Sequence, residues 1–146
     1  MNDKKRAVLV KYARKHLGKP YKFGSSLSEA PKTFDCSSFV QYLYQRVGVQ
    51  LPRTALDQAS QGKTIDPNQD QLKIGDLLFF KGGWGHYNPD FPMGIGHVGI
   101  YAGEGRVINA RYQKNENGLD EGSVIEETVK SFLNRPDFVI VKRILD

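Results

Sequence analysis

The chain has 146 residues, of which 39% are hydrophobic and 25% are charged. A chain of this length forms one domain with a sizeable core, and the aromatic and aliphatic residues spread along it exclude a disordered protein. Its longest apolar runs, such as LLFF, have four residues, whereas a membrane-spanning helix needs about 20. We therefore predict one domain over residues 1–146 without a transmembrane segment, and the N-terminal MNDKKRAVLV lacks the pattern of a signal peptide.

The net charge is +5, from 21 basic and 16 acidic residues. This balance suits an anionic partner, which is nucleic acid, an anionic membrane or an anionic polymer such as a cell wall. Because the basic residues are dispersed rather than gathered in a run, we expect no nucleic-acid partner. Cys36 is the only cysteine, which excludes an internal disulfide and a cysteine-rich zinc site, and the histidines lack the spacing of a zinc pair. We predict no metal and no cofactor.

The first part of the chain is predicted to be helical. Apolar residues recur there at helical spacing, and Thr54 followed by Asp57 resembles an N-terminal capping pattern. The predicted helices cover residues 4–17, 36–47 and 54–61, with a loop over 19–34 between the first two. Helices followed by strands favour an α+β fold, in which N-terminal helices pack against a central antiparallel sheet.

From residue 76 onward the pattern changes to short apolar and β-branched runs, which are typical of strands. The predicted strands cover residues 76–81, 97–102, 106–111, 123–128 and 138–145, with a short helix over 128–133. The first two strands are separated by residues 82–96, GGWGHYNPDFPMGIG. The glycine, proline and aromatic content of this segment predicts a long surface loop, and such loops often shape binding sites.

Cys36 is predicted to be the first residue of its helix. Unpaired backbone N–H groups and the positive end of the helix dipole lie there and favour a thiolate, so we expect a lowered pKa and a nucleophile. Cys36 also shares a helical face with Phe39, Val40 and Leu43. The alternative interpretation is therefore a small buried core residue.

His97 is the preferred base among the three histidines, because it opens a predicted strand after a glycine-rich segment. If a short turn joins this strand to the next, pairing Tyr101 with Gly105 sets His97 opposite Asn109. Cross-strand partners share a face of the sheet, so Asn109 is expected to orient the His97 ring in a Cys–His–Asn arrangement. A polar strand residue that faces water is the alternative for Asn109.

Five segments in order resemble the NlpC family of papain-like cysteine peptidases, which are bacterial cell-wall hydrolases. They are GKPYKFG at 18–24, FDCSSFVQYLY at 34–44, LPRTALDQ at 51–58, GDLLFF at 75–80 and HVGIYAGEGRVINA at 97–110. Any one of these motifs is weak, whereas five in the same order are a specific signal. The resemblance implies a single NlpC-like catalytic domain with a papain-like fold.

The resemblance also implies an activity and a site. The activity is hydrolysis of the peptidoglycan stem peptide, usually between D-glutamate and the following diamino acid, through a thioester. By position, Cys36 matches the nucleophile, His97 the base and Asn109 the third polar residue. The residues that match positions beside the nucleophile or along the substrate groove are Tyr21, Asp35 and Ser37.

Two further groups complete the predicted substrate groove. Arg53 is expected to pair either with Asp35 or with a carboxylate of the substrate. Trp84 and His86, in the long 82–96 segment, are expected to form one wall of the groove. The alternative for this segment is that its aromatic residues bury it against the sheet.

The sequence departs from the family pattern at three places. Ser38 replaces a common glycine, Asn109 replaces a more frequent histidine, and segment 82–96 has no counterpart in the shortest members. Alternative functions are an N-acetylmuramoyl-L-alanine amidase, a cysteine acyltransferase or deamidase, and an inactive binding module. The expected setting is the bacterial cell wall or periplasm, for a secreted, phage-associated or injected protein, with other domains or an immunity protein as partners outside this chain.

Overall fold

The computed structural model describes residues 2–83, 85–114, 116–117 and 120–146. In these ranges the helices are α1 (Asn2–Lys15), α2 (Cys36–Gln45), α3 (Ala55–Gln58) and α4 (Val129–Leu133), with a 3-10 turn at Leu27–Glu29. The strands are β1 (Lys63–Ile65), β2 (Leu77–Phe80), β3 (His86–Asn88), β4 (Phe91–Ile95), β5 (His97–Gly103), β6 (Arg106–Lys114), β7 (Asp120–Thr128) and β8 (Phe138–Arg143).

Six of these strands form one antiparallel sheet in the order β1-β8-β2-β5-β6-β7. Helices α1 and α2 cover one face of the sheet with the larger apolar core, which contains Leu9, Phe39, Leu43, Val98 and Ile100. On the opposite face α4 covers a smaller core, which contains Leu78, Phe80, Val107 and Phe132. The predicted α+β fold, with N-terminal helices packed against a central antiparallel sheet, is confirmed.

All predicted helices and strands are present, and their ends differ from the predicted ones by at most three residues. Two features were missed: β1, and the hairpin of β3 and β4 within segment 82–96. The segment lies at the surface as predicted, but the prediction of a loop without strands is wrong, because His86 pairs with Ile95 and Asn88 with Phe91. This hairpin packs against α3 rather than joining the main sheet. A strand is recognised in a sequence by the alternation of apolar and polar residues. This hairpin, which lies outside the main sheet, lacks that alternation.

The hairpin of β5 and β6 has a different register from the predicted one. Tyr101 pairs with Val107 rather than with Gly105, and the turn is centred later than expected, on two residues with positive φ. The predicted pairing is wrong by two residues. A shift of two keeps every side chain on its own face, so His97 and Asn109 still share a face, as diagonal neighbours.

Asp76, in the segment GDLLFF, connects two strands of the main sheet. Its carboxylate accepts hydrogen bonds of 2.9 Å from both Nε and Nη2 of Arg143, at the end of β8. Only 1% of the Asp76 side chain and 8% of the Arg143 side chain are exposed. Removing one partner of a buried pair leaves an uncompensated charge, so this motif has a structural role in the sheet.

Candidate active site

Cys36 is the first residue of α2, and the preceding Asp35 caps that helix. The Asp35 carboxylate accepts a hydrogen bond of 2.8 Å from the backbone N–H of Ser38, and the Ser38 hydroxyl accepts one of 2.9 Å from the backbone N–H of Asp35. This reciprocal capping box fixes the start of the helix. It also gives Ser38 a structural role, because its hydroxyl is buried within the cap.

Cys36 lies between two grooves. The first has a volume of about 320 Å³, and the predicted substrate residues that line it are Tyr21, Asp35, Ser37, Arg53 and His86. The second has a volume of about 250 Å³, and its lining includes Tyr21, Gly96, His97, Arg111 and Arg135. Cys36 is 8% exposed, and its Sγ lies 3.9 Å from the carbonyl oxygen of Gly96. The residue therefore belongs to the core and is also reached from both grooves.

Arg53 pairs with Asp35, which is one of the two alternatives predicted for it. Its Nη2 donates to Asp35 Oδ2 at 2.7 Å, and its Nη1 donates to Ser37 Oγ at 2.8 Å. The backbone N–H of Gly24 also donates to Asp35 Oδ2, at 3.2 Å. The Arg53 side chain keeps 35% exposure whereas that of Asp35 keeps 9%, so the guanidinium is the charged group of this cluster that a ligand in the first groove reaches.

Tyr21 lies beside the start of α2. Its backbone N–H donates to the carbonyl oxygen of Gly122 at 3.0 Å, and its ring packs edge-on against Tyr112 with centroids 6.0 Å apart. Burial raises the pKa of Tyr21, and the nearby Cys36 and Asp35 add to the effect. The phenol therefore keeps its proton at neutral pH and can donate a hydrogen bond into either groove.

His97 opens β5, and its ring is held by a polar and an apolar contact. Its Nε2 lies 2.9 Å from Oδ1 of Asn109. Phe80 and Phe132 pack near the ring, with centroid distances of 5.9 Å and 6.5 Å. Asn109 is 0% exposed, so the alternative prediction of an asparagine that faces water is wrong.

Asn109 is in turn held by residues that sequence reasoning missed. Its Nδ2 donates to Glu127 Oε2 at 3.0 Å, and Glu127 Oε1 accepts a hydrogen bond of 2.8 Å from Arg111 Nη1. The predicted strand over 123–128 contains adjacent glutamates, Glu126 and Glu127. Only the register of β6 with β7 decides which of them faces Asn109, and the sequence does not specify that register.

Burial governs the ionisation of Cys36 and His97. Burial, followed by the negative charge of Asp35, raises the pKa of the Cys36 thiol to about 12. Burial also lowers the pKa of His97 to about 4, although the hydrogen bond with Asn109 acts to raise it. Both groups are therefore uncharged at neutral pH. The prediction of a lowered pKa for Cys36 is wrong in this resting structure, because burial and the Asp35 charge outweigh the backbone hydrogen bonds of Val98 and Ser37 and the charge of Arg53.

The 82–96 segment contributes to the groove through its hairpin. His86 lines the first groove and is exposed, whereas Trp84 lies outside the described residues. Tyr87 is 75% exposed, whereas Phe91 is partly buried and packs against the larger core, so the alternative of aromatic residues that bury the segment holds for Phe91 and not for Tyr87. A Cβ on Gly96 would lie 2.7 Å from the carbonyl oxygen of Lys81, so the base of the hairpin closes tightly beside Cys36.

Side chains of the described residues supply the chemistry of this site. They are a thiol at a helix start, a neutral imidazole that can accept a proton, and a guanidinium that can bind a carboxylate, which suits acyl transfer through a cysteine. Among the described residues, no group of three or more His, Cys, Asp or Glu side chains is arranged to hold a metal ion. In the same ranges no helix is long and apolar enough to span a membrane.

The fold belongs to the papain-like class of α+β folds. In this class a cysteine begins a helix that packs on an antiparallel sheet, and a histidine lies on a strand of that sheet. The sequence profile of the NlpC/P60 family matches residues 18–134. The chain belongs to the NlpC/P60 family.

Proteins similar to this chain include two sequence relatives and one solved structure. Probable endopeptidase p60 of Listeria innocua is 41% identical over 112 residues, which are 77% of this chain and 20% of the relative. Gamma-DL-glutamyl hydrolase of Bacillus subtilis is 40% identical over 103 residues, which are 70% of this chain and 22% of the relative. The structure of the peptidoglycan hydrolase RipB from Mycobacterium tuberculosis matches with a TM-score of 0.71 at 28% identity, over 99% of this chain and 66% of that one. The chain thus spans about a fifth of the length of these two sequence relatives.

Proposed function

We propose that this chain is the catalytic domain of a cysteine peptidase that cuts peptidoglycan stem peptides between D-glutamate and the following diamino acid. The observation that carries the proposal is that Cys36 opens into the same groove as His97, whose Nε2 lies 2.9 Å from Asn109 Oδ1. The names of the relatives, an endopeptidase, a DL-glutamyl hydrolase and a peptidoglycan hydrolase, support it. The net charge of +5 suits an anionic polymer, and we place the activity at the bacterial cell wall or in the periplasm.

The first half of the proposed reaction forms a thioester. The Cys36 sulfur attacks the scissile carbonyl carbon while His97 accepts the thiol proton, and His97 then gives that proton to the amine nitrogen as the C–N bond breaks. Because both groups are neutral at rest, proton transfer accompanies the attack rather than preceding it. The backbone N–H of Cys36 and the Tyr21 phenol are the proposed donors to the oxyanion, and one such donor is typically worth about 3 kcal/mol.

The second half of the reaction returns the enzyme to its resting state. Water enters as the amine product leaves, and His97 takes a proton from it as its oxygen attacks the thioester carbonyl. The C–S bond then breaks, the free carboxylic acid is released, and the Cys36 sulfur regains a proton from His97. Asn109 keeps the imidazole in one orientation through both halves.

The first groove is the proposed binding place for the stem peptide. Arg53 offers a charge-assisted hydrogen bond to a substrate carboxylate, and Asp35 and Ser37 hold its guanidinium in place. Tyr21 and His86 line the same groove. Trp84 stays a proposal from the sequence, as part of the wall beside His86.

Digestion of purified peptidoglycan and of defined muropeptides, followed by mass spectrometry, tests this function. The variants are Cys36→Ala and, as a matched control, Ser60→Ala at an exposed position. We expect the wild type and the control to release a new amine at the diamino acid, and Cys36→Ala to release none. Release of whole stem peptides from the sugar would make the protein an amidase. Absence of cleavage in every wall type would overturn the proposal in favour of an acyltransferase or a binding module.

A further inference from the structure

We propose that Glu127 is a positioning residue, which locks the amide of Asn109 so that its oxygen faces His97. This inference rests on the proposed function, because it concerns the orientation of the proposed base. In the free protein, the same orientation decides which ring nitrogen of His97 carries the hydrogen. The tautomer of His97 can be measured without any substrate.

The locking follows from the donor and acceptor properties of the groups. An ionised carboxylate only accepts hydrogen bonds, whereas an amide presents a donor on one side and an acceptor on the other. Glu127 Oε2 lies 3.0 Å from Asn109 Nδ2. The NH₂ group must therefore face Glu127, and Oδ1 is left to face Nε2 of His97 at 2.9 Å.

The orientation of the amide decides the tautomer of His97. Because Oδ1 can only accept, Nε2 carries the single ring hydrogen of the neutral imidazole. Nδ1 then keeps a free lone pair, which is what a base acting on the Cys36 thiol requires. If the amide turned over, its NH₂ group would favour hydrogen on Nδ1, and His97 could not accept the thiol proton.

Arg111 holds Glu127 in turn. Its Nη1 donates to Glu127 Oε1 at 2.8 Å, so both carboxylate oxygens have a partner. The pairing of β6 with β7 sets Glu127 opposite Val107, on the face of the sheet that carries His97 and Asn109. Asn109 is 0% exposed, so water does not replace Glu127 as its partner in this structure.

Glu126 provides a matched control within the same strand. It is also a glutamate in β7 and it also forms ion pairs, with Arg14 and with Arg106, whose Nη2 lies 3.3 Å from its carboxylate. Its side chain is 21% exposed, against 22% for Glu127. It lies on the opposite face of the sheet from His97, because neighbouring residues of a strand alternate.

The experiment compares the wild type with Glu127→Ala, Glu127→Gln and Glu126→Ala. Nitrogen-15 NMR of the imidazole reports which ring nitrogen is protonated, and His97 is one of only three histidines. We expect hydrogen on Nε2 in the wild type and in Glu126→Ala, and a mixture of tautomers in Glu127→Ala. Glu127→Gln keeps the size of the side chain but has only one acceptor oxygen, which Arg111 engages, so its NH₂ group faces Asn109 and hydrogen should move toward Nδ1 of His97.

Kinetics on a defined muropeptide give the second readout. For Glu127→Ala we expect kcat to fall by about 10- to 100-fold with little change in KM. A base in the wrong tautomer loses part of the rate enhancement that general-base catalysis provides. Glu127→Gln should not recover this loss, because its NH₂ group favours the reversed amide of Asn109. A wild-type tautomer and a wild-type kcat in Glu127→Ala would overturn the inference, and so would an equal loss in Glu126→Ala. Undiminished cleavage by Cys36→Ala would instead overturn the proposed function, while the NMR result for Glu127 would stand.

Discussion

Asn109 reaches His97 along a diagonal of the sheet: its Oδ1 lies 2.9 Å from Nε2 although the two residues are two positions out of direct register. Diagonal neighbours on one face are within reach of long and aromatic side chains. The register places Gly99 opposite Asn109, and a Cβ on Gly99 would lie only 2.8 Å from a ring carbon of Phe132. The missing side chain at Gly99 therefore leaves room for the ring of Phe132, which packs near His97.

Alanine at Gly99 should consequently destabilise the protein. In an open strand position, alanine in place of glycine stabilises by about 0.5–1 kcal/mol. Here the added methyl collides with Phe132 and Val107, so we expect Gly99→Ala to lower the free energy of unfolding by about 1–3 kcal/mol. Urea denaturation measures the change. Gly83→Ala is the control, because apart from its chain neighbours no heavy atom of the described residues lies within 4 Å of a Cβ at this position. An unchanged stability for Gly99→Ala would contradict the packing described.

The pH dependence of cleavage reports the ionisation of His97. Its pKa is lowered to about 4, chiefly by burial, with Arg135 and Arg111 also lowering it and Asn109 and Asp137 raising it. A base works only when unprotonated, so kcat/KM should stay high as pH decreases below 6.5, which is the ordinary pKa of histidine. It should fall only as pH decreases further, through about 4. A pH–rate profile on a small muropeptide measures this. An acid limb at the ordinary histidine value would indicate that His97 is hydrated in the working enzyme.

The charge of Asp35 should control the reactivity of the Cys36 thiol. Asp35 is the second-largest cause of the raised pKa of Cys36, whereas Arg53 acts to lower it. Asp35→Asn removes the negative charge, leaves the Arg53 charge unbalanced and keeps a residue that caps helices well. We expect the pKa of Cys36 to fall and alkylation by iodoacetamide at neutral pH to become faster. Asp57→Asn, at an exposed aspartate of α3, is the control, and equal rates in all three proteins would refute this assignment.

His16 makes the stability of the fold depend on pH. It is 4% exposed among the rings of Tyr12, Phe34 and Tyr42, and neither of its ring nitrogens has a hydrogen-bond partner within the described residues. Burial lowers the pKa of His16 from its ordinary 6.5. The unfolded chain therefore binds this proton more readily, and the stability that neutral His16 contributes is lost as pH falls below 6.5.

Urea denaturation at about pH 7.5 and about pH 5.5 tests this dependence. We expect the wild type to lose stability between these two values, and His16→Leu to lose less. His86→Leu, at an exposed histidine of β3, should keep the wild-type dependence. If His16→Leu and the wild type lost the same stability, another group would be responsible.

The sequence predicted the parts of the fold that have a strong local signal. Cys36 begins α2 as expected, because Asp35 and Ser38 cap the helix and its apolar residues recur at helical spacing. The face shared by His97 and Asn109 was predicted correctly, since alternation along a strand survives a register error of two residues. The turn of β5 and β6 was misplaced, because Glu104 adopts a positive φ of 54°, which is uncommon for a residue other than glycine.

The remaining features depend on distant parts of the chain. Glu127 reaches Asn109 only through the register of β6 with β7. The second core beneath α4, with Phe132 beside His97, was not predicted, because it forms only where α4 packs on the far face of the sheet. The raised pKa of Cys36 has the same origin, since burial among other elements is not a property of its own helix.

Cleavage of a defined D-glutamyl–diamino acid muropeptide by the wild type and by Cys36→Ala is the most direct test of the central claim. Urea denaturation of both proteins checks that the variant keeps its fold. We predict a new amine at the diamino acid with the wild type, and none above the uncatalysed background with a folded Cys36→Ala. Equal release of that amine by the two proteins would contradict the claim that Cys36 is the nucleophile.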